Sequence, residues 1–130
     1  MKIIAAELLR RIPGPITEKW PNGEPFAFGL RHGSMLVELF APTGVDTQTP
    51  HAQDELYFVH SGSGTFAIGE QRHPFAPGTC FFVPAGVAHR FEEFSPDFST
   101  WVVFWGPPGG EPASCPGVSC GPTRVLTNVP

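Results

Sequence analysis

Hydrophobic residues follow two different spacings along this chain. Near its start, "AAELLRR" places Leu8 and Leu9 on one face of a predicted helix that Pro13 ends. From about Phe26 onward, short runs rich in aromatic and β-branched residues predict strands instead. The six predicted strands are residues 34–40, 55–60, 64–69, 79–83, 89–94 and 99–105.

Turn-forming residues separate the predicted strands. The intervening stretches are "APTG", "SGSG", "GEQR", "APG", "PAG" and "SPD". Six short strands at this spacing, with one terminal helix, predict an all-β sandwich or barrel. We expect a single domain in three segments: an N-terminal helix and lead-in (1–25), a β-barrel (26–106) and an irregular Pro/Gly-rich tail (107–130).

Several predicted strands are apolar on both faces. In "TCFFV" and "WVVFW" consecutive residues are hydrophobic, although the side chains of a strand alternate between its two sides. One face can line an interior, so the other needs a cover from a terminal segment, a second sheet or another copy of the chain. We favour a homodimer, with the N-terminal helix as the alternative cover.

Composition and charge narrow the class of function. The 130 residues are 41% hydrophobic and only 15% charged, with a formal net charge of −4. This balance argues against a nucleic-acid partner, which requires a basic face. No run approaches the ~18 apolar residues of a membrane span, and Glu7 interrupts the apolar start, unlike a signal peptide. We therefore expect a cytoplasmic protein without a membrane partner.

The three cysteines do not suggest a disulfide framework. Cys80 lies within an apolar run and is expected to be a small buried residue. Cys115 and Cys120 lie in the Pro/Gly-rich tail, where they could pair on oxidation. In a cytoplasmic chain, two free thiols are the favoured interpretation.

Two segments carry candidate metal ligands. His51 lies four residues before Glu55, so the two side chains share one face if the chain is extended. In "PGTCFFVPAGVAHRF", Pro84 and Gly86 build a turn before His89, which a folded sheet could place opposite the first pair. Two imidazoles and one carboxylate suit a divalent transition metal (Fe, Mn, Ni or Zn) and leave coordination positions open. By spacing alone, ordinary polar residues at the mouth of a strand are the alternative.

The same segments resemble the two sequence motifs of the cupin superfamily. Glu55 and Gly62 match the glutamate and closing glycine of the first motif, and His51 falls on the second histidine of its His-x-His pair. The second motif is matched, at the right spacing, by Gly78, Pro84, Gly86 and His89. The resemblance covers roughly residues 34–105 and is to small single-domain, type-2-like members. It implies a jelly-roll β-barrel.

Two positions depart from the cupin pattern. The first histidine of the pair would fall at Thr49, and Glu93 replaces the asparagine that ends the second motif. Typical members offer three histidines and one glutamate, so the loss of one imidazole is expected to weaken metal binding. The amide oxygen of Gln53 could serve as a weak fourth ligand, although an exposed turn residue is the commoner role for a glutamine there.

Tyr57, the only tyrosine, shares the face of Glu55 on a regular strand. Its phenol could orient or protonate an oxygen-bearing ligand, or simply form a wall of the interior. His60 should face outward. Asp54 should point away from Glu55 and accept backbone N–H bonds, or lie beside His51. The aromatic residues expected to line the cavity are Phe66, Phe82, Phe91 and Trp101.

The resemblance implies small-molecule chemistry at a metal, either dioxygenase-type oxidation or isomerisation of a sugar or similar carbonyl compound. His51, Glu55 and His89 would hold the ion. Tyr57 or Gln53 would orient the substrate. The alternatives are a non-catalytic binding domain and a degenerate cupin that has lost its metal, and the fold does not choose among them. We expect a small-molecule ligand or substrate as the partner.

Overall fold

The computed structural model describes residues 1–112 and residue 123. One short helix, α1 (Ala5–Leu9), precedes the strands. The strands are β1 (Phe26–His32), β2 (Met35–Phe40), β3 (Asp54–Ser61), β4 (Gly64–Ile68), β5 (Gln71–Phe75), β6 (Cys80–Val83), β7 (His89–Glu92) and β8 (Ser99–Trp105). No helix among the described residues is long and apolar enough to cross a membrane. The cytoplasmic location and the three-segment division stay predictions.

The strands form two antiparallel sheets around a common interior. The five-stranded sheet has the order β1-β2-β8-β3-β6, and the three-stranded sheet has the order β5-β4-β7. Aromatic rings of both sheets meet between them. Phe66 of β4 and Phe91 of β7 have centroids 4.7 Å apart, and both rings contact Tyr57 of β3. This is the all-β jelly-roll barrel that the sequence predicted.

Alternation along β3 decides which side chains reach the interior. Glu55, Tyr57 and Val59 point inward and are buried, whereas Phe58 and His60 point outward and are exposed. The outward position predicted for His60 is confirmed. The same alternation places the candidate ligand Glu55 and the only tyrosine on one inner face.

Helix α1 covers part of the outer face of the five-stranded sheet. Leu8 is 3% exposed and packs with Ala27 of β1 and Leu39 of β2, while Trp101 of β8 borders this contact. The terminal segment is therefore one of the covers that strands with two apolar faces require. On β3, Phe58 remains 45% exposed.

The structure adds β1 and β5 to the six strands that the sequence pattern predicts. In β1 the register shifts between Phe28 and Leu30, which interrupts the alternation of side chains. In β5, "QRHPF", only Phe75 is buried. This strand lies at an edge of the small sheet, where Pro74 is tolerated. An edge strand that buries so little carries almost no hydrophobic pattern.

Cys80 is exposed, so the buried position predicted for it is wrong. It begins β6, pairs with Phe58 of β3 and shares the outer face of the sheet with that residue. Because β6 is an edge strand, an apolar run there does not guarantee burial. The two tail cysteines, Cys115 and Cys120, lie outside the described residues.

The turn between β3 and β4 requires glycine. Gly62 has a φ of +82°, and a Cβ at this position would lie 2.5 Å from the Cα of Phe98. Any other residue would be strained and would also clash with the backbone. This close approach explains the closing glycine of the first motif.

Candidate functional site

His51, Glu55 and His89 come together inside the barrel. One possible ligand atom from each lies within 4.8 Å of those from the other two. Glu55 on β3 is 1% exposed, His89 at the start of β7 is 6% exposed, and His51 in the loop before β3 is half-buried. The structure therefore groups the three residues predicted as metal ligands.

The buried polar atoms of this group lack hydrogen-bond partners. Nδ1 of His51 and Nε2 of His89 lie 3.0 and 3.2 Å from the same oxygen, Oε2 of Glu55. Despite these separations, Nδ1 of His51 and both carboxylate oxygens of Glu55 make no aligned hydrogen bond. One cation could satisfy ligand atoms that lie this close together and lack hydrogen-bond partners. The three residues therefore fit a divalent transition metal.

Burial and neighbouring charges shift the pKa values of Glu55 and His89 in opposite directions. Burial alone would raise the pKa of Glu55, but His51 and His89 outweigh it, so the pKa is lowered. Burial alone would lower the pKa of His89, but Glu55 and the Val87 carbonyl outweigh it, so the pKa is raised. The pocket therefore favours a carboxylate anion with positive charge beside it, which a metal ion would supply.

A backbone contact orients the His89 ring. Its Nδ1 donates to the carbonyl oxygen of Val87 at 2.8 Å, since a carbonyl can only accept. In the neutral ring, Nε2 is then the unprotonated nitrogen, and it faces Glu55 and the Tyr57 hydroxyl, which lies 2.9 Å away. Such a contact on the far nitrogen is how ligating histidines are commonly held.

A hydrogen-bonded chain fixes Tyr57. Its hydroxyl donates to Oε1 of Gln48 at 3.0 Å, and Nε2 of Gln48 donates to Oδ2 of Asp46 at 2.6 Å. Asp46 is buried and also accepts the N–H of Phe91. Burial, reinforced by the Glu55 charge, raises the pKa of Tyr57 well above 10. The phenol therefore stays protonated and held in place at the candidate metal centre.

Asp46 and Gln48 were not predicted as parts of the site. The only signal in the sequence is their spacing, because Oδ1 of Asp46 accepts the N–H of Gln48 two residues later. That contact is an ordinary Asx turn and indicates a loop, without indicating that the loop reaches the barrel interior.

Backbone contacts hold the two motif segments together. The N–H of Gly86 donates to the carbonyl oxygen of His51 at 2.8 Å, and the N–H of Ala85 donates to Oδ1 of Asp54 at 3.0 Å. Oδ2 of Asp54 accepts the N–H of Glu111 at 2.8 Å. The backbone-accepting role predicted for Asp54 is confirmed, and it fixes the turn between β6 and β7.

Gln53 lies away from the candidate ligands. Its amide nitrogen donates to the carbonyl oxygens of Ser34 at 3.1 Å and Gly106 at 2.9 Å, and it does not line the cavity beside the ligands. The structure thus does not support the ligand or catalytic role predicted for Gln53, because its amide binds two backbone segments instead. The side-chain amide that reaches the site is that of Gln48, which binds the Tyr57 hydroxyl and lines the cavity. Thr49, at the position of the missing histidine, lines the cavity.

A cavity of about 230 Å³ opens beside the candidate ligands. His51, Glu55 and Tyr57 form one part of its wall. Its other aromatic lining residues are Trp20, Phe26, Phe28, Phe40 and Phe104. Volume and lining together suit a compact ligand, because the cavity is smaller than the ~300 Å³ typical of pockets for drug-sized molecules.

The four aromatic residues predicted to line this cavity lie elsewhere. Phe66 and Phe91 are buried in the core between the sheets. Phe82 packs against Trp105 on the outer face, and Trp101 borders helix α1. The prediction was wrong because strand alternation does not carry across turns, and because the lead-in segment contributes Trp20.

A second buried glutamate, Glu38 of β2, also lines the cavity. It is 8% exposed, and burial together with the charges of Glu55 and Glu24 raises its pKa to about 8. Its signal in the sequence is one acidic residue within the apolar stretch "MLVELF". That pattern does not show which of the two sheet faces the residue occupies.

Comparison with known proteins assigns the family. A family model described as Cupin domain matches residues 36–103. This chain belongs to the cupin family. The cupin chain is 42% identical over 89 residues to an uncharacterised protein of Streptomyces coelicolor, a match that covers 67% of this chain and 85% of that protein.

Solved structures show the same fold. A cupin 2 conserved barrel domain protein from Salinispora arenicola has a TM-score of 0.52 at 18% identity, over 62% of this chain and 74% of that one. KdgF from a Halomonas species has a TM-score of 0.55 at 18% identity, over 62% and 76% of the two chains. At these identities the structural matches establish the barrel alone.

Proposed function

We propose that this cupin binds one divalent transition-metal ion through His51, Glu55 and His89 and holds a small-molecule ligand or substrate beside it. The proposal depends on the buried, unpartnered atoms Nδ1 of His51 and Oε1 and Oε2 of Glu55. Leaving a buried polar atom unpartnered costs roughly 1 to 3 kcal/mol. One bound cation would remove this cost from each of these atoms that it binds. Iron, manganese, nickel and zinc accept such a donor set.

The reaction class that we propose is oxidation of the dioxygenase type or isomerisation of a sugar or similar carbonyl compound. When bound, the ion would supply Lewis acidity and open coordination positions. The chain itself would orient the ligand through the protonated hydroxyl of Tyr57 and exclude water with the aromatic cavity wall.

A metal-free binding domain is the second candidate. Thr49 favours it, because a hydroxyl replaces the imidazole of the family pattern at the edge of the cavity. In this case the cavity would bind its small molecule through side chains alone.

Elemental analysis of the purified protein tests metal binding. The protein is supplied with iron, manganese, nickel and zinc in turn and then desalted. We expect about one ion per chain in the wild type, and loss of the ion in His51→Ala, His89→Ala and Glu55→Gln. His60→Ala, which removes an exposed histidine from the outer face, is the matched control and should retain the ion.

Two outcomes would contradict the proposed centre. If the wild-type chain takes up none of the four ions, only the metal-free binding domain remains as a candidate function. A chain whose ion survives all three ligand substitutions holds it elsewhere. Turnover of carbonyl sugars, and oxygen uptake with candidate organic substrates, then separate an enzyme from a binding protein.

We also propose that the chain forms a homodimer through the outer face of β3 and β6. Leu56 and Phe82 are paired neighbours on this face, and Phe58 beside them is 45% exposed. A second copy would remove this apolar surface from water, as α1 does over β1 and β2 on the same outer face.

A further inference from the structure

Glu38 faces the ligand cavity but lies outside the group of candidate metal ligands. On the inner face of the five-stranded sheet, Glu38 and Tyr57 flank Val102 from opposite sides. Two strand spacings separate their backbones by about 10 Å. A compact ligand beside the metal centre can therefore extend across Val102 toward Glu38.

The buried carboxyl of Glu38 is unpaired among the described residues, and the one cation that lines the same cavity, Lys19, is exposed to solvent. The pKa of Glu38 is raised by burial and by the carboxylates of Glu55 and Glu24, with no opposing effect from a cation or a hydrogen-bond donor. The described residues form no ion pair with it within 4.0 Å. The carboxylates of Glu55 and Glu24, which favour a proton at Glu38, would also favour another positive group, whereas burial opposes any charge and has to be offset by contacts with the ligand.

Three aromatic rings, those of Trp20, Phe26 and Phe28, line the same cavity, and Phe28 is the direct cross-strand partner of Glu38. The centroids of Trp20 and Phe26 lie 6.1 Å apart, and those of Phe26 and Phe28 lie 5.4 Å apart. Ring faces carry negative potential and attract cations. The Trp20 ring already contacts a cation within the chain, because Nζ of Lys19 lies 5.3 Å from its centroid. Lys19 is exposed, so water screens its charge.

We propose that Glu38, with the rings of Trp20, Phe26 and Phe28, forms a subsite for the ammonium-type cationic end of a small ligand. When the cation binds, the Glu38 carboxyl releases its proton to solvent and supplies the opposite charge, and the rings supply a surface that accepts alkylated cations. The cavity volume of about 230 Å³ restricts the ligand to a compact molecule. The inference rests on the proposed function in one respect, because the other end of the ligand is placed at the metal. Recognition of the cationic end requires no metal.

Two probes of the same shape test the subsite. Choline carries a quaternary nitrogen where 3,3-dimethylbutan-1-ol carries a neutral carbon. We expect the full-length wild type to bind choline at least about tenfold more tightly than the neutral alcohol in calorimetric titrations. The preference should disappear in Glu38→Gln and persist in Glu70→Gln, a matched change at an exposed glutamate in the β4–β5 turn.

A second pair of variants covers the case in which Glu38→Gln does not fold. Phe28 is 51% exposed at the cavity and Phe58 is 45% exposed on the outer face, so both tolerate replacement. Phe28→Leu should weaken choline binding several-fold, and Phe58→Leu should not. Equal affinity for the two probes, or a preference that neither Glu38→Gln nor Phe28→Leu reduces, would overturn the inference.

The titrations are made with the protein as purified, after EDTA treatment and after metal loading. A protein that takes up no metal yet prefers choline retains the cationic subsite and loses the proposed metal centre. A protein that takes up metal at His51, Glu55 and His89 yet does not distinguish the probes retains the metal centre and loses the subsite.

Discussion

Two glutamates of one cavity have pKa values that move in opposite directions. Both are buried, but the neighbours of Glu55 are the imidazoles of His51 and His89, whereas those of Glu38 are other carboxylates. Glu55 therefore favours its ionised form, and Glu38 favours its protonated form. Such a division of roles between two acids is common where a site must hold charge at one point and a neutral group at another.

Glu38 should make the stability of the metal-free protein depend on pH. As the pH rises from about 4.5 to about 8, the unfolded chain ionises this residue while the folded chain keeps its proton, so the wild type loses stability. Glu38→Gln lacks this loss. Its advantage in free energy of unfolding should be small near pH 5 and grow to a few kcal/mol near pH 8.

Urea unfolding at several pH values, with EDTA present, measures this difference. Glu70→Gln removes an exposed glutamate and should follow the wild type. An advantage of Glu38→Gln that is the same at all pH values would show that Glu38 is not buried as a neutral acid.

Thr49 offers a gain-of-function test at the residue scale. It lines the cavity at the position of the missing imidazole, so Thr49→His should supply a fourth ligand and tighten metal binding about tenfold or more. Competition with a chromogenic chelator measures the affinity. Thr47→His, two residues away and exposed, is the control. No gain at Thr49 would mean that this loop does not bring residue 49 to the ion.

How far the site could be predicted differs from residue to residue. His51, Glu55 and His89 were found because a family pattern fixes their spacing, which needs no knowledge of the fold. Glu38 was missed because its relation to the site runs across β8, through Val102, and no local spacing encodes it. Gln48 was missed for a similar reason, since its partner Tyr57 lies on another element.

At the scale of elements, the turn between β6 and β7 depends on Asp54. This single side chain accepts backbone N–H groups from Ala85 and Glu111. Asp54→Ala removes two charge-assisted hydrogen bonds and should lower the free energy of unfolding by roughly 2 to 3 kcal/mol. Because the turn leads to His89, metal affinity should also fall by about tenfold.

Denaturant unfolding and metal titration of the same variant measure both effects. Asp97→Ala, an exposed aspartate whose side chain makes no such contact among the described residues, should change neither. Metal affinity unchanged in a destabilised Asp54→Ala protein would show that the turn does not position the histidine.

The strands that bury many side chains were predicted, because burial requires a recognisable pattern of hydrophobic residues. Strand β8, "STWVVFW", is central in its sheet, and its inner residues are buried. Strand β5 contacts the core through Phe75 alone, so its residues carry the composition of a loop. The helix was predicted to continue until Pro13 but ends at Leu9, after which Arg11 and Ile12 make tighter turn contacts.

At the scale of the whole molecule, the proposed homodimer interface can be tested at the exposed residue Phe58. Phe58→Ser should convert the wild-type dimer to a monomer by removing apolar area from the proposed interface. Light scattering after size exclusion measures the mass against the 14.1 kDa chain. Phe28→Ser alters a phenylalanine of similar exposure at the cavity and should remain dimeric. A wild type that is monomeric at micromolar concentration would contradict the dimer.

The central claim is that one cation occupies the point shared by His51, Glu55 and His89. Diffraction from metal-loaded crystals, recorded on both sides of the absorption edge of the supplied ion, locates it directly. We expect a single anomalous peak about 2.0 to 2.3 Å from one atom of each residue. A peak bound by other residues, or no peak in crystals grown with excess metal, would contradict the account.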